Sequence, residues 1–170
     1  MPFPRSLAIL RTSTLALMAA ASGAQEQAWI QQIGTPTGDS IEAAAADGTG
    51  GVFACLSTGP TTGTQQTRIT RHDAHGTPSW SVTIPSSSAR SAFPDAAGGF
   101  FVGGYTYGSL GAPNAGSQDS WVAHYDGDGT RSWVAQYGTT GFDGIVDLAP
   151  DGSGGVFGFG YSAGTMWVAR

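Results

Sequence analysis

The sequence predicts an all-β fold of β-propeller-type repeats, about three four-stranded antiparallel blades in a row. Three observations predict it. Trp29, Trp80 and Trp133 each open a short extended stretch, about fifty residues apart, and a period of that length marks units that cannot bury their apolar surface alone. An Asp-x-x-Gly-Gly turn feeding an apolar run recurs with the same period, at Asp47, Asp95 and Asp151. No run after the first residues has the apolar period of an amphipathic helix. Four short strands per fifty residues make one propeller blade.

The N-terminal residues stand apart. Arg5 precedes an apolar run ending in Leu15 to Ala21, and Ser22 and Ala24 supply small residues before Gln25. That is the layout of a secretory signal peptide. Its uninterrupted apolar stretch is shorter than the roughly 20 residues that span a bilayer. Residues 1–24 are therefore expected to be a cleaved signal peptide and residues 25–170 the repeat domain, with repeats at 29–79, 80–132 and 133–170. The expected location is secreted, periplasmic or at the cell surface, with no membrane span after cleavage.

Each repeat reads in the same order. A Trp-led strand comes first: Trp29-Ile-Gln-Gln-Ile-Gly34, Trp80-Ser-Val-Thr-Ile-Pro85 and Trp133-Val-Ala-Gln-Tyr-Gly138. A weaker strand follows at Ile41 to Ala45 and Ile145 to Ala149. The interval from Pro85 to Asp95 is shorter than its counterparts, so the middle copy of this strand is expected to be shortened. The Asp-x-x-Gly-Gly turn then feeds Val52-Phe-Ala-Cys-Leu, Phe100-Phe-Val-Gly-Gly-Tyr and Val156-Phe-Gly-Phe-Gly-Tyr. The last strand runs towards an Asp-rich turn: Thr67 to Asp73, Ser120 to Asp126 and Met166 to Arg170. Counting the Trp29 stretch, twelve strands are expected. Asp73-Ala-His-Gly76 and Asp126-Gly-Asp-Gly129 place an Asx residue and a glycine where a tight hairpin needs a side-chain acceptor and positive φ. The Gly-rich strands are apolar on both faces, which implies sheets stacked face to face.

On these residues the stretch Gly98 to Gly138 resembles the bacterial seven-bladed β-propeller (SBBP) repeat. Its phrases are Gly99-Phe-Phe-Val-Gly-Gly-Tyr-Thr-Tyr-Gly-Ser-Leu-Gly, Asn114-Ala-Gly, Asp119-Ser-Trp-Val-Ala-His-Tyr-Asp and Trp133-Val-Ala-Gln-Tyr-Gly. The resemblance extends more loosely from Trp29 onward and implies a propeller. Rings close with about four to eight blades. Three blades are therefore expected to be a fragment of a larger propeller; the alternatives are copies assembling through exposed blade faces and an open stack. Alternatively, the Trp167 strand would close the first blade beside Trp29.

Composition narrows the function. The chain has no lysine, and without Arg5 and Arg11 five basic residues face twelve acidic ones. A basic face for phosphates is absent, which excludes nucleic-acid binding. Cys55 is alone, so an intrachain disulfide is excluded; it reads as a small core residue. The tryptophans read as packing between blades rather than as a ligand platform. Asp126, Asp128 and Thr130 resemble the start of a calcium loop but lack the later Glu, and read as a hairpin turn. No catalytic, cofactor or metal residue is predicted.

The phrases Asp73 to Trp80 and Asp126 to Trp133 resemble the quinoprotein repeat and the sialidase Asp-box, but depart from both in spacing. A quinoprotein would need cofactor and calcium ligands, and often a vicinal cysteine pair. A sialidase would need an arginine triad, drawn from Arg68, Arg71, Arg90 and Arg131, and a tyrosine nucleophile. Asp39 and Asp143 share a repeat position and read as turn caps rather than as a glycosidase pair. The most variable connection follows the Gly-rich strand: Gly59 to Gln66, Gly108 to Asp119, and only Gly164 and Thr165. Variable loops on one rim of a repeat array form binding surfaces, so Tyr107, Leu110, Pro113 and Asn114 are the candidate ligand-binding residues. The expected function is a non-catalytic scaffold or binding module whose partner is a protein or a glycan. The competing class is a fragment of a propeller enzyme, glycosidase-like or quinoprotein.

Overall fold

Short apolar runs separated by Asp-Gly turns fold back on themselves as antiparallel meanders. In the computed structural model, residues 29–34, 38–59 and 65–170 are described; the expected signal peptide lies outside the described residues. Sheet I runs in the order β1 (Ser40–Ala46), β2 (Val52–Thr58), β3 (Gln66–His72) and β4 (Pro78–Ile84). Sheet II runs β5 (Ser87–Pro94), β6 (Phe100–Thr106), β7 (Asp119–Tyr125) and β8 (Arg131–Tyr137). Sheet III has β9 (Asp143–Pro150), β10 (Val156–Ser162) and β11 (Thr165–Ala169). The described residues hold eleven strands and no helix, so the all-β class read from the sequence is correct.

Two expectations are corrected. The stretch Trp29 to Gly34 is not a strand, although it carries the same phrase as β4 and β8. A strand needs a partner for its ladder, and no described strand pairs with it. In particular β11 pairs with β10 and not with Trp29, and the sheets do not close on one another. Second, β5 is full length. The residues missing from the middle copy come out of the connection instead: Pro85 and Ser86 alone join β4 to β5, whereas residues 138–142 join β8 to β9. Ser86 makes the tight turn at φ 53°. Pairing with β6 along its whole length, Ser87↔Thr106 to Pro94↔Phe100, fixes how long β5 must be.

The first strand of each sheet carries a bulge at the same repeat position. The register slips between Ile41 and Ala43 in β1, between Ala89 and Ser91 in β5, and past Val146 in β9. Glu42, Arg90 and Val146 are the extra residues. A bulge bends its strand and re-aims one side chain.

Sheet II lies between the other two, contacting sheet I mainly through β1·β5 and sheet III through β9. The boundary between I and II is an aromatic stack. Phe100 lies 4.4 Å from Phe53, 5.5 Å from Tyr125 and 6.3 Å from Trp80, ring centre to ring centre. Trp80 also donates its indole N–H to the Gly127 carbonyl at 2.9 Å, tying β4 to the turn of the neighbouring sheet. That turn must contain glycine. Gly129 sits at φ 87°, and a Cβ there would meet the Trp80 ring at 2.9 Å. The first repeat has the same arrangement: Gly76 is at φ 79°, and its Cβ would meet the Trp29 ring at 2.8 Å. Trp121 is buried, with its indole N–H on the Tyr105 carbonyl at 2.9 Å. Trp133 differs. It packs within sheet II, on Phe101 and His124, and stays 40% exposed.

Cys55 is completely buried in the same core. Burial pushes its thiol up to about 12, because the apolar interior opposes the thiolate. The native chain is expected to leave Cys55 unreacted with a thiol reagent at pH 8, and the urea-unfolded chain to react fully. Fast labelling of the native chain would contradict its place between the sheets.

Candidate functional site

The two ends of the sheets have different chemistry. At one end lie the Asp turns. Asp47 accepts from the Thr49 and Gly51 amides at 2.8 and 2.7 Å. Asp95 does the same with Ala97 and Gly99, both at 2.7 Å, and Asp151 with Ser153 and Gly155 at 2.7 and 2.9 Å. The second oxygen of each carboxylate meets a cationic or imidazole side chain from the third strand or its end. Arg71 reaches Asp47 at 2.8 Å, His124 reaches Asp95 at 2.6 Å and Arg170 reaches Asp151 at 2.7 Å.

Burial opposes ionisation of Asp47, but the Thr49 amide, Arg71 and the Gly51 amide outweigh it and bring the carboxyl down to about 2. Burial likewise opposes ionisation of Asp95, and His124 with the Gly99 and Ala97 amides overcomes it. Asp151 is lowered chiefly by the Ser153 and Gly155 amides. The sequence reading missed these ties, although Arg71, His124 and Arg170 hold one repeat position. The loop resembling a calcium site is a hairpin turn: Asp126 N–H donates to the Thr130 carbonyl at 2.8 Å, and Thr130 N–H to the Asp128 carboxylate at 2.9 Å.

The opposite end carries the variable connections, and here the predicted rim residues separate by role. Tyr107 is presented, half exposed. Its ring meets Tyr105 edge-on at 5.7 Å, and its hydroxyl accepts from the Gln118 amide at 2.6 Å. Leu110 is instead an anchor packed on the core, with its N–H on the Gln136 carbonyl oxygen at 2.7 Å. Asn114 shapes the loop by accepting from the Gly116 N–H at 3.0 Å. Pro113 is exposed. Gln136 also donates to the Gly108 carbonyl at 3.0 Å and to Asp119 at 2.7 Å, and Asp119 accepts from the Ala115 N–H at 3.0 Å. The long β6–β7 loop is thus clamped to sheet II, which pre-organises Tyr107.

Residues from the bulges extend this surface. Arg90 pairs with Glu42 at 2.8 Å, and its guanidinium lies 5.2 Å from the centre of the Tyr105 ring. The Tyr105 hydroxyl lies 3.3 Å from the Gln65 carbonyl oxygen. Tyr161 of sheet III lies within electrostatic reach of Tyr105, Arg90 and Tyr107, and burial raises its hydroxyl. Glu42 comes from sheet I and Gln65 from the connection entering β3, Arg90 and Tyr105 come from sheet II and Tyr107 from the loop after β6, and Tyr161 comes from sheet III. The sequence reading found Tyr107 through loop length; the bulge position shared by Glu42 and Arg90 was the available signal for the rest.

Two clefts lie elsewhere and are lined by none of the four rim residues. The larger, about 720 Å³, opens between β8 and sheet III and is walled by Trp133, Ala135, Tyr137, Val156, Trp167 and Ala169, among others. The smaller, about 440 Å³, lies between Gln31 to Gly34 and the outer strands of sheet I. Among the described residues no three His, Cys, Asp or Glu side chains gather as a metal site, and no helix is long and apolar enough to cross a membrane. No protein-family model matches the chain, and no curated protein matches it.

Proposed function

We propose that this chain is an exported, non-catalytic binding module of the propeller type, similar to SBBP repeats, acting in the periplasm or at the cell surface. Its binding surface is the end of the sheets that carries Tyr107, and its partner is a glycan. The observation that supports the reading is the fixed Tyr107–Tyr105–Arg90–Glu42 surface. Tyr107 is held by Gln118 and half exposed, and Arg90 is held by Glu42 over Tyr105. Sugars are recognised by aromatic rings that cover their C–H faces and by planar charged groups that bond their hydroxyls. Both are present here on one surface, ordered before any ligand arrives, which lowers the entropy of binding.

The test is a glycan array probed with the purified chain, followed by titration of the best binder. Tyr107→Ala is expected to weaken binding about tenfold or more, roughly 1.4 kcal/mol, with the unfolding temperature unchanged. Binding that survives Tyr107→Ala and Arg90→Ala together would move the surface elsewhere. A protein captured through the same residues, with no glycan bound, would change the partner and keep the surface.

A further inference from the structure

Sheets I and II each end in a Trp-led strand, β4 and β8, and sheet III has no such strand among the described residues. The outward edge of β11 is unpaired there, with Met166 89% and Val168 64% exposed. The chain also holds one Trp-led phrase with which no described strand pairs, Trp29-Ile-Gln-Gln-Ile-Gly34. We propose that this segment, from a second copy of the chain, is the fourth strand of sheet III. The inference rests on the propeller-type reading of the sheets and not on the glycan.

Continuity with an interface already inside the molecule carries it. In sheet I the fourth strand sends Trp80 across to the β7–β8 turn of the next sheet, against Gly129. Trp29 sits in the corresponding place against Gly76, in the β3–β4 turn of sheet I. Trp29 therefore already occupies the position of a fourth strand belonging to a sheet that precedes sheet I. The two clefts share one element of this geometry, each opening on the third strand of its sheet, at Arg68 and Thr70 in sheet I and at Trp167 and Ala169 in sheet III. Gln31, Ile33 and Gly34 face the outer strands of sheet I as Ala135, Tyr137 and Gly138 face sheet III. Among the described residues the wall opposite β8 has three strands, where sheets I and II have four. Trp29 to Gly34 of the same chain cannot supply the fourth, because sheet II stands between sheets I and III.

The repeat also fixes the register. Trp80 pairs with Arg71 and Trp133 with His124, so Trp29 of the second copy falls opposite Arg170. Ile30 then falls opposite Ala169 and Gln31 opposite Val168. Strand addition satisfies an open edge with main-chain hydrogen bonds. A head-to-tail contact of this kind closes when the rotation allows it. Two copies present six sheets, within the range of about four to eight at which propeller rings close.

Sedimentation of the purified chain, which needs no substitution, is expected to give a dimer. Oxidative cross-linking then reads the register in a Cys55→Ala background. Chains carrying Gln31→Cys, mixed with chains carrying Val168→Cys, are expected to form covalent dimers. Ile30→Cys mixed with Val168→Cys, whose side chains point to opposite faces, is expected to form at least tenfold fewer. A monomer at every concentration overturns the proposal, and so does a dimer whose cross-links ignore the register. Register-specific cross-links in an open-ended series of oligomers would uphold the strand exchange and remove the six-sheet ring, and with it the propeller reading.

Discussion

Phe100→Ala is expected to destabilise the chain by about 3–5 kcal/mol, the range for emptying a buried aromatic position. Phe100 is completely buried, and its ring is stacked with Phe53, Tyr125 and Trp80 at once. Phe53 and Trp80 belong to sheet I, Phe100 and Tyr125 to sheet II. The backbones of two paired sheets cannot collapse onto the cavity, so little of the lost contact is recovered. A domain of ordinary stability, about 5–15 kcal/mol, would lose a large part of it. Urea unfolding followed by tryptophan fluorescence measures the change. Phe142→Ala, at an exposed position, serves as the control and is expected to stay within about 0.5 kcal/mol. Phe53→Ala and Phe100→Ala combined should cost less than the two singly, since they share one stack. A cost below about 1 kcal/mol for Phe100→Ala would mean that sheets I and II do not hold each other through this stack.

The class of fold was legible because its determinants are local and repeated. Asp47, Asp95 and Asp151 start the same turn three times, and the runs after them become β2, β6 and β10. What was not legible depends on partners distant in sequence. Trp29 to Gly34 carries the phrase of β4 and β8, but no described strand pairs with it. The shortened interval before Asp95 says how many residues are missing, not where they are removed; the ladder between β5 and β6 spares the strand and shortens the turn to Pro85-Ser86. At the candidate site, the exposure of Tyr107 follows from its place in a long loop. Its support does not, because Gln136 and Asp119 reach back onto that loop from β8 and β7. The Arg90–Glu42 pair joins two sheets. Aligning the repeats on the aspartates of their Gly-Gly turns brings Glu42, Arg90 and Val146 into one column, and aligning their third strands brings Arg71, His124 and Arg170 into another. One column holds the bulges, the other the ties to the turns.

Those ties make the second large effect, the loss expected for Asp47→Ala. The Asp47 side chain is fully buried. It accepts from the Thr49 and Gly51 amides, from the Thr49 hydroxyl and from two nitrogens of Arg71. Alanine leaves those donors without an acceptor, a cost of about 3 kcal/mol for a charged, buried hub. Asparagine keeps one acceptor oxygen for the amides and loses the charge, so Asp47→Asn is expected to cost about half as much. The sign with pH follows from the lowered carboxyl. Folded Asp47 titrates at about 2, against an ordinary 3.8. Below the ordinary value the unfolded chain takes up the proton first, so the contribution is whole above about pH 4 and is lost as pH falls towards about 2. Asp95 and Asp151 are shifted the same way, as are the turn residues Asp73 and Asp128 and the buried Asp143. Urea midpoints are therefore expected to fall steeply between pH 5 and pH 3. Because several carboxylates share that slope, the discriminating measurement is the difference between parent and Asp47→Asn: the variant should be less stable at pH 6 and approach the parent near pH 2. Parallel curves across that window would mean that the pairing of Asp47 with Arg71 carries no energy, and that the acid sensitivity belongs to the other turns.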